Sequence, residues 1–446
     1  MKLFSKFDRF KENYFSFLLS LIPISFIAGN MVINITIILI ILSGLVIFNK
    51  DIFEIKYFFL DKLIFIYFLL TLFVGIYNDI FLYLNFNDFS LHRGVYFTSM
   101  KSFLFLRFFV LYLVIRILVE KNLFNFKIFF FICSLCALFV CIDIFYQLFN
   151  EKDFFGHEVD DRFRKLSGPF GDEYIAGGYI QRFSLFAFFL MPAFYSNQNI
   201  KIYYPLIIIM FLIFFIGIIL SGNRMPLILF FLTLCLIFVF EIKDKKKIFS
   251  FIAVCSIIFF LIFNFNTKVR DNFNNFYFVG QKLVISTINK NFSYSRLPYY
   301  NEFSSGYNTW LYNKTFGGGI KNFNFYCYKS NEKFNSNFFC NNHPHNYYLE
   351  IFTETGFVGF LLILVCFIMI LYLSLVKKYF FSTRLQNNEI ITPFIFLFIA
   401  EIFPFKSSGS FFTTGNASYV FLIMAILVGL IRKEKLIENK DLKDIN

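Results

Sequence analysis

Apolar runs of about 17–25 residues recur along this chain, from "FSFLLSLIPISFIA" near the start to "YVFLIMAILVGLI" near the end. Each is long enough to cross a hydrocarbon core of about 30 Å as a helix. A backbone in lipid has to satisfy its own hydrogen bonds, so such runs fold as helices and pack as a bundle. The composition agrees, with 58% of 446 residues hydrophobic and only 16% charged, where soluble domains carry roughly 25% charge. A mean hydropathy of +0.65 excludes a soluble fold. The sequence therefore predicts an all-α polytopic membrane protein with about 12 transmembrane helices. The expected spans fall at about 14–29, 31–48, 62–77, 100–119, 127–149, 176–195, 203–220, 226–241, 248–264, 346–376, 390–403 and 415–431, the ninth and eleventh being short. The first run lacks a small-residue cleavage site and reads as a retained helix.

Lysine and arginine in the connections set the orientation. With the N-terminus (Lys2, Lys6, Arg9, Lys11) in the cytoplasm, every strongly basic short connection falls on the same side. These carry Lys50 and Lys56, Lys121 and Lys127, Lys201, "EIKDKKK" at 241–247, and Lys377, Lys378 and Arg384, while the tail adds Arg432, Lys433 and Lys435. Both termini are then cytoplasmic, and the net charge of +13 is a topology signal with no call for nucleic acid. The chain divides into residues 1–264 (spans one to nine, with an outer loop at about 150–175), a large outer loop at 265–345 that is partly helical, and 346–446 (spans ten to twelve and a cytoplasmic tail). No internal repeat points to a transporter built from inverted halves. Six of the eight cysteines lie in spans as small hydrophobes. Cys327 and Cys340 share the large loop, match no zinc spacing, and are free to pair in an oxidising compartment.

The polar residues that interrupt this pattern are the candidates for chemistry. Two of only four histidines, His343 and His345, precede the tenth span in "NNHPHNYYLEIFTETGFVGF". His345 suits a general base, being near-neutral at pH 7; the same position also suits a helix start at an interface. His343 is restricted to extended backbone by Pro344. Glu350 and Glu354, four apart, share a face of the first helical turns, where the helix dipole favours carboxylates. Arg224, in "SGNRMP", sits at a helix start on the side where topology does not favour basic residues. Backbone N–H groups and a guanidinium fork at one point suit a phosphate, and a snorkelling arginine is the alternative. Arg296 lies in the large loop. In "DDRFRKLSGPFGDEYIAGGYIQRF" (160–183), Arg162, Arg164, Lys165 and Arg182 accompany two glycine-rich turns. Arg107, Asp143 and Glu401 fall in apolar spans, where charge usually faces a cavity or a partner.

Taken together, "HNYYLEIFTETGFVGF" (345–360), "LSGNR" (220–224), "SGPFGDEYIAGGYI" (167–180) and Arg296 followed by "W…FGGGIKNF" (310–323) resemble the O-antigen ligase and Wzy-type polymerase superfamily of bacterial envelope glycosyltransferases. The likeness covers roughly residues 140–376. One departure is the "SGNRMP" turn, where relatives more often have small residues around the arginine.

The resemblance implies a glycan donor on undecaprenyl diphosphate and transfer to an acceptor hydroxyl, a lipid A–core or another glycan, at the periplasmic face of the bacterial inner membrane. It gives His345 the catalytic role and Arg224 and Arg296 the donor diphosphate. Arg162, Arg164, Arg182, Glu350 and Glu354 are candidate substrate-binding residues. No metal and no cofactor are expected, since arginines can neutralise a leaving diphosphate and a histidine can take the acceptor proton. A polymerase joining repeat units on the same carrier is the alternative within the superfamily, and attachment of glycans to secreted proteins a third. A lipid-linked-sugar flippase or other transporter is the alternative outside it, but it should carry charge through mid-span, whereas these candidates gather in outer loops and at span ends.

Overall fold

Helices occupy every apolar run, and among the described residues there is no β-strand, only an isolated bridge between Lys152 and Glu158. The computed structural model describes residues 6–49, 52, 57–85, 97–159, 165–194, 200–242, 245–288, 298–381, 383–407 and 409–445. The first six helices are α1 (Lys6–Ala28), α2 (Asn30–Phe48), α3 (Phe59–Asn85), α4 (Phe97–Phe105), α5 (Arg107–Glu120) and α6 (Phe126–Asn150). Then come α7 (Ala176–Phe183), α8 (Leu185–Phe194), α9 (Ile200–Leu220), α10 (Arg224–Phe240), α11 (Lys245–Phe265) and α12 (Thr267–Ile288). The chain closes with α13 (Pro298–Tyr312), α14 (Phe323–Phe334), α15 (Tyr347–Leu371), α16 (Ile391–Glu401) and α17 (Thr414–Ile445). The expected large loop is helical over α12, α13 and α14.

This is a multi-pass membrane protein, but twelve spans are not confirmed. Among the described residues, six helices are long and apolar enough to cross a bilayer: Asn30–Phe48, Phe59–Phe81, Phe97–Glu120, Phe126–Asn150, Tyr347–Phe380 and Thr414–Ile437. A seventh is reached if Phe249–Phe265 and Thr267–Lys282, which meet at 105°, form one span. The difference has physical causes. Helix α16 has 11 residues, about 16 Å at 1.5 Å per residue, half a bilayer core. Its side chains are buried almost throughout, because a helix apolar on all sides belongs inside the protein. The run at 176–195 breaks at Ser184 into α7 and α8, and the first turns of α1 are charged.

α17 forms the axis of the bundle, with residues 417–431 almost wholly buried. It packs on α5 near one end, where a charged cluster lies inside the protein. Arg116 and Asp61, each 1% exposed, pair at 2.5 Å. Arg116 also reaches Glu120 at 2.9 Å, and Tyr112 donates to Asp61 at 2.6 Å. At the opposite end, the connections after α1, α6, α9, α14 and α16 face one another. Tyr179 donates to the Pro23 carbonyl at 2.8 Å, and Asn346 reaches the carbonyls of the 402–413 loop. The Arg116–Asp61 cluster thus sits at one end and the described candidate site residues around Asn346 at the other.

Removing one partner of a buried ion pair leaves the other charge uncompensated, a cost of about 3–5 kcal/mol. Asp61→Ala should therefore lower the unfolding midpoint in detergent substantially, and the double variant Asp61→Leu/Arg116→Met should recover part of the loss. An Asp61→Ala midpoint equal to wild type would show that the pair is not holding α3 to α5.

Candidate active site

The start of α15 is fixed by its own cap. The Asn346 side chain accepts from Tyr348 N–H at 3.0 Å and Leu349 N–H at 3.1 Å, two of the donors that a helix start leaves unpaired. Its amide donates to the carbonyls of Pro404 at 2.8 Å and Lys406 at 3.3 Å, so the cap also holds the 402–413 loop. His345 lies immediately before it with φ 49°, in the left-handed region that a residue with a Cβ rarely adopts. The His343 and His345 rings stand 4.3 Å apart, centroid to centroid. Burial pushes the His343 imidazole down to about 4, helped by the neighbouring His345 and Lys321. Burial also pushes His345 below its ordinary value of 6.5. Both rings are neutral at pH 7, the state in which an imidazole nitrogen can accept a proton.

Glu350 and Glu354 are fully buried. Glu350 accepts from the Ser410 hydroxyl and the Phe411 N–H, both at 2.5 Å, and the Lys321 ammonium lies 3.8 Å away while donating to Ser410 at 2.6 Å. This carboxylate joins α15, the 402–413 loop and the segment before α14. Glu354 faces the backbone N–H groups of Lys321 and Phe323 at the start of α14.

Two residues further on, α15 opens. Gly356 has φ 67° and ψ −172°, which breaks the helix inside its membrane-length run. The "KTFGGG" segment fills the break with backbone hydrogen bonds. Phe357 N–H donates to Lys314 O at 2.8 Å and Val358 N–H to Thr315 O at 3.2 Å, while Gly318 and Gly319 N–H reach Thr353 O and Glu354 O at 2.8 and 2.9 Å. A Cβ at Gly356 would meet Thr315 O at 2.2 Å, and one at Gly317 would meet Gly356 N at 2.5 Å. The two glycine motifs, far apart in sequence, are the two faces of one contact. Asn78, on α3, adds a hydrogen bond to Gly317 O at 3.2 Å and accepts from Tyr326 at 2.8 Å.

The charges left unpaired in the sequence find partners here. Arg182 donates to both oxygens of Glu401, at 3.1 and 2.7 Å, and to Asn416 at 2.6 Å. Lys406 donates to the same Glu401 oxygen at 2.5 Å, and Tyr347 to it at 2.7 Å. Burial pushes the Lys406 ammonium down to about 8 against the pull of Glu401. Arg107 donates to Thr414 at 3.2 Å, and Asp143 accepts from Phe154 N–H at 2.7 Å. Arg182 and Lys406 line a cavity of about 730 Å³ together with Gln181, Asn223 and Asn416. His345 and Arg224 are not among its lining residues, but each adjoins it in sequence or through a hydrogen bond: Asn223 precedes Arg224, and Asn346, after His345, binds the Lys406 carbonyl.

Arg224 points to the other side of the same turn. Its guanidinium donates twice to Asn272 Oδ1, at 3.0 and 2.7 Å, and lies 5.3 Å from the Phe276 ring centroid. Asn272 in turn donates to Gly222 O at 2.7 Å. Lys165 is near enough for Arg224, together with burial, to push its ammonium below the usual range. Below this point an apolar groove of about 690 Å³ runs between α10 and α11, from Phe238 up to Leu227 and Phe273. Arg162, Arg164 and Arg296 lie outside the described residues. Cys327 and Cys340 form a disulfide that ties α14 to the segment leading into His343.

Lys406, Tyr347, Asn416 and Asn272 were not anticipated as site residues. For Lys406 a signal existed, the same one that singled out Arg224: a basic residue in a short connection, "FPFKSSGS", where the positive-inside pattern does not favour one. The others are single polar residues with no spacing to mark them.

A family model described as O-antigen ligase matches residues 209–364. The match supports the O-antigen ligase superfamily. It runs from α9 through the Arg224 turn and the disulfide-tied segment to the opened turn of α15, and it supports a ligase- or polymerase-type glycosyltransferase. No curated protein matches the chain.

The backbone at Gly356 is one that essentially only glycine adopts, at a cost of about 1–3 kcal/mol for other residues. Gly356→Ala should lower the unfolding midpoint and expose residues 298–346 to protease. Gly280→Ala, at a helical position with nothing within 4 Å, should be neutral or slightly stabilising. Equal behaviour of the two variants would contradict the role given to the opened turn.

Proposed function

We propose that this chain is an O-antigen-ligase-type glycosyltransferase of the bacterial inner membrane, with both termini cytoplasmic. It moves a glycan from undecaprenyl diphosphate to a hydroxyl of lipid A–core or another glycan at the periplasmic face. What carries the reading is one arrangement: a single cavity is walled by Asn223, beside the Arg224 turn, and by Lys406, whose carbonyl binds the residue after His345. Arg224 and His345 do not line this cavity themselves, but each adjoins a residue tied to it, Asn223 in sequence and Asn346 through its hydrogen bond to Lys406. This closeness supports a diphosphate-holding and a proton-accepting group acting on one substrate. The apolar groove ending beside Arg224 suits the polyprenyl chain of such a donor.

In this mechanism the acceptor oxygen attacks the anomeric carbon as His345 takes its proton. The bond from that carbon to the diphosphate oxygen breaks, and undecaprenyl diphosphate leaves with the electron pair. Arg224 and Arg296 hold the departing charge. The displacement is direct, so configuration inverts and no covalent enzyme intermediate forms. The arginines serve without a metal, and activity should survive EDTA. Asn346, Glu350 and the opened turn at Gly356 act by positioning the histidine segment.

His345→Ala should cut transfer by about 10²–10⁴-fold with expression and insertion intact, while His343→Ala keeps most activity. The base must be unprotonated, and burial lowers its pKa, so the acid limb of the rate profile should lie below pH 6.5. A limb above that value would assign the proton to another group. Arg224→Lys keeps the charge but loses the fork and should be impaired. Deleting the gene in its host should leave lipid A–core without long glycan while lipid-linked polymer accumulates. Accumulation of single repeat units on the carrier would instead make the protein a polymerase, the reading that the family match leaves beside this one.

A further inference from the structure

We infer that Arg182 and Lys406 form an anion subsite inside the 730 Å³ cavity, which holds the carboxylate or phosphate of an acidic saccharide. The claim that the saccharide is a substrate rests on the transferase reading; the binding itself does not.

Arg182 and Lys406 lie within 2.7 and 2.5 Å of the same Glu401 oxygen, so two cations share one carboxylate. Both cations line the cavity, whereas Glu401 lies behind them and does not. Their side chains are 14% and 5% exposed, so little water screens them. The wall thus carries one positive charge in excess within a poorly solvated space, an arrangement that costs free energy unless an anion completes it. The acids that do line the cavity, Asp172 and Glu173, are exposed residues. Gln181 and Asn223 line the same space, and side chains of this amide type suit sugar hydroxyls. The volume falls in the range of small-molecule sites, about 300–1,000 Å³, enough for a short saccharide. Arg182 is further fixed by Asn416 at 2.6 Å and stacks 4.8 Å from the Tyr419 ring centroid, so its fork is set before any ligand arrives. This is a different place from Arg224, whose guanidinium is turned toward α12.

The test uses the purified full-length protein in detergent, titrated with glucuronate and with glucose 6-phosphate, with glucose as the neutral control. Binding is read by calorimetry and by the shift of the unfolding midpoint. Saturable binding of the acidic sugars and none of glucose is expected, weakened about tenfold or more in Lys406→Gln, as loss of one charge-assisted hydrogen bond implies. Glutamine can still donate to Glu401, so this variant should fold. Asn416→Asp, which sets a second carboxylate beside Arg182, should weaken binding in the same way. No binding to wild type, equal binding to Lys406→Gln, or loss in Arg224→Gln alone would each overturn the subsite. With lipid-linked donor and acceptor present, Lys406→Gln should raise the half-saturating concentration of one of them. A rise for the acceptor assigns the anion to it, a rise for the donor assigns it to the donor diphosphate or its glycan, and a rise for neither overturns the claim that the bound saccharide is a substrate. Absence of transfer by wild type with acidic-sugar binding intact would count against the transferase reading and leave the subsite standing.

Discussion

The backbone contact between the opened turn at Gly356 and the 314–319 segment is the constraint on which the functional end of the molecule depends. A helix of this apolar length would otherwise run straight, and its first turns would point wherever the membrane-crossing part directed them. Opening one turn exposes carbonyls and N–H groups that must be satisfied in a buried place, and the glycine-rich segment satisfies four of them. Residues 347–355 are thereby held as a separate short helix. Asn346 and Glu350, at its start, then reach the 402–413 loop, and that loop brings Lys406 to Arg182 and Glu401. His345 is positioned at the head of the chain of contacts.

Buried charge follows the same economy at both ends of the bundle. Asp61 and Arg116 at one end, and Glu401 with Arg182 and Lys406 at the other, are almost wholly removed from water. Such groups persist where each is paired and hydrogen-bonded. The first cluster is close to neutral when Glu120 and Arg432 are counted with it, which fits a structural role. The second is not neutral and faces a cavity. That imbalance separates a cluster that holds helices together from one that can receive a ligand.

Hydropathy made the helices legible, because each apolar run has a helix at its place, but not how many of them cross. Ile391–Glu401 is about as apolar as the spans and yet too short, being buried by neighbours. Periodicity cannot tell these two surroundings apart. A basic residue in a short turn where the positive-inside pattern expects none singled out Arg224, and the same sign applies to Lys406. Pairings were not: Arg182 and Glu401 are 219 residues apart, and no spacing rule joins them. The glycine motifs were visible as motifs, but their meeting depends on the path of the chain through α13 and α14. The cysteine pair was open in the sequence because composition permits a bond without bringing two sulfurs together, and the docking of α14 does that.

Under the proposed function the chain would cleave a lipid-linked donor and not merely carry it across the bilayer. Reconstitution in vesicles with undecaprenyl-diphosphate-linked glycan and an acceptor, followed by mass spectrometry of both lipid and glycan products, addresses this most directly. The account predicts glycan joined to the acceptor and undecaprenyl diphosphate released in equal amounts. Donor that moves between leaflets with its glycan still attached, and no joined product, would contradict it.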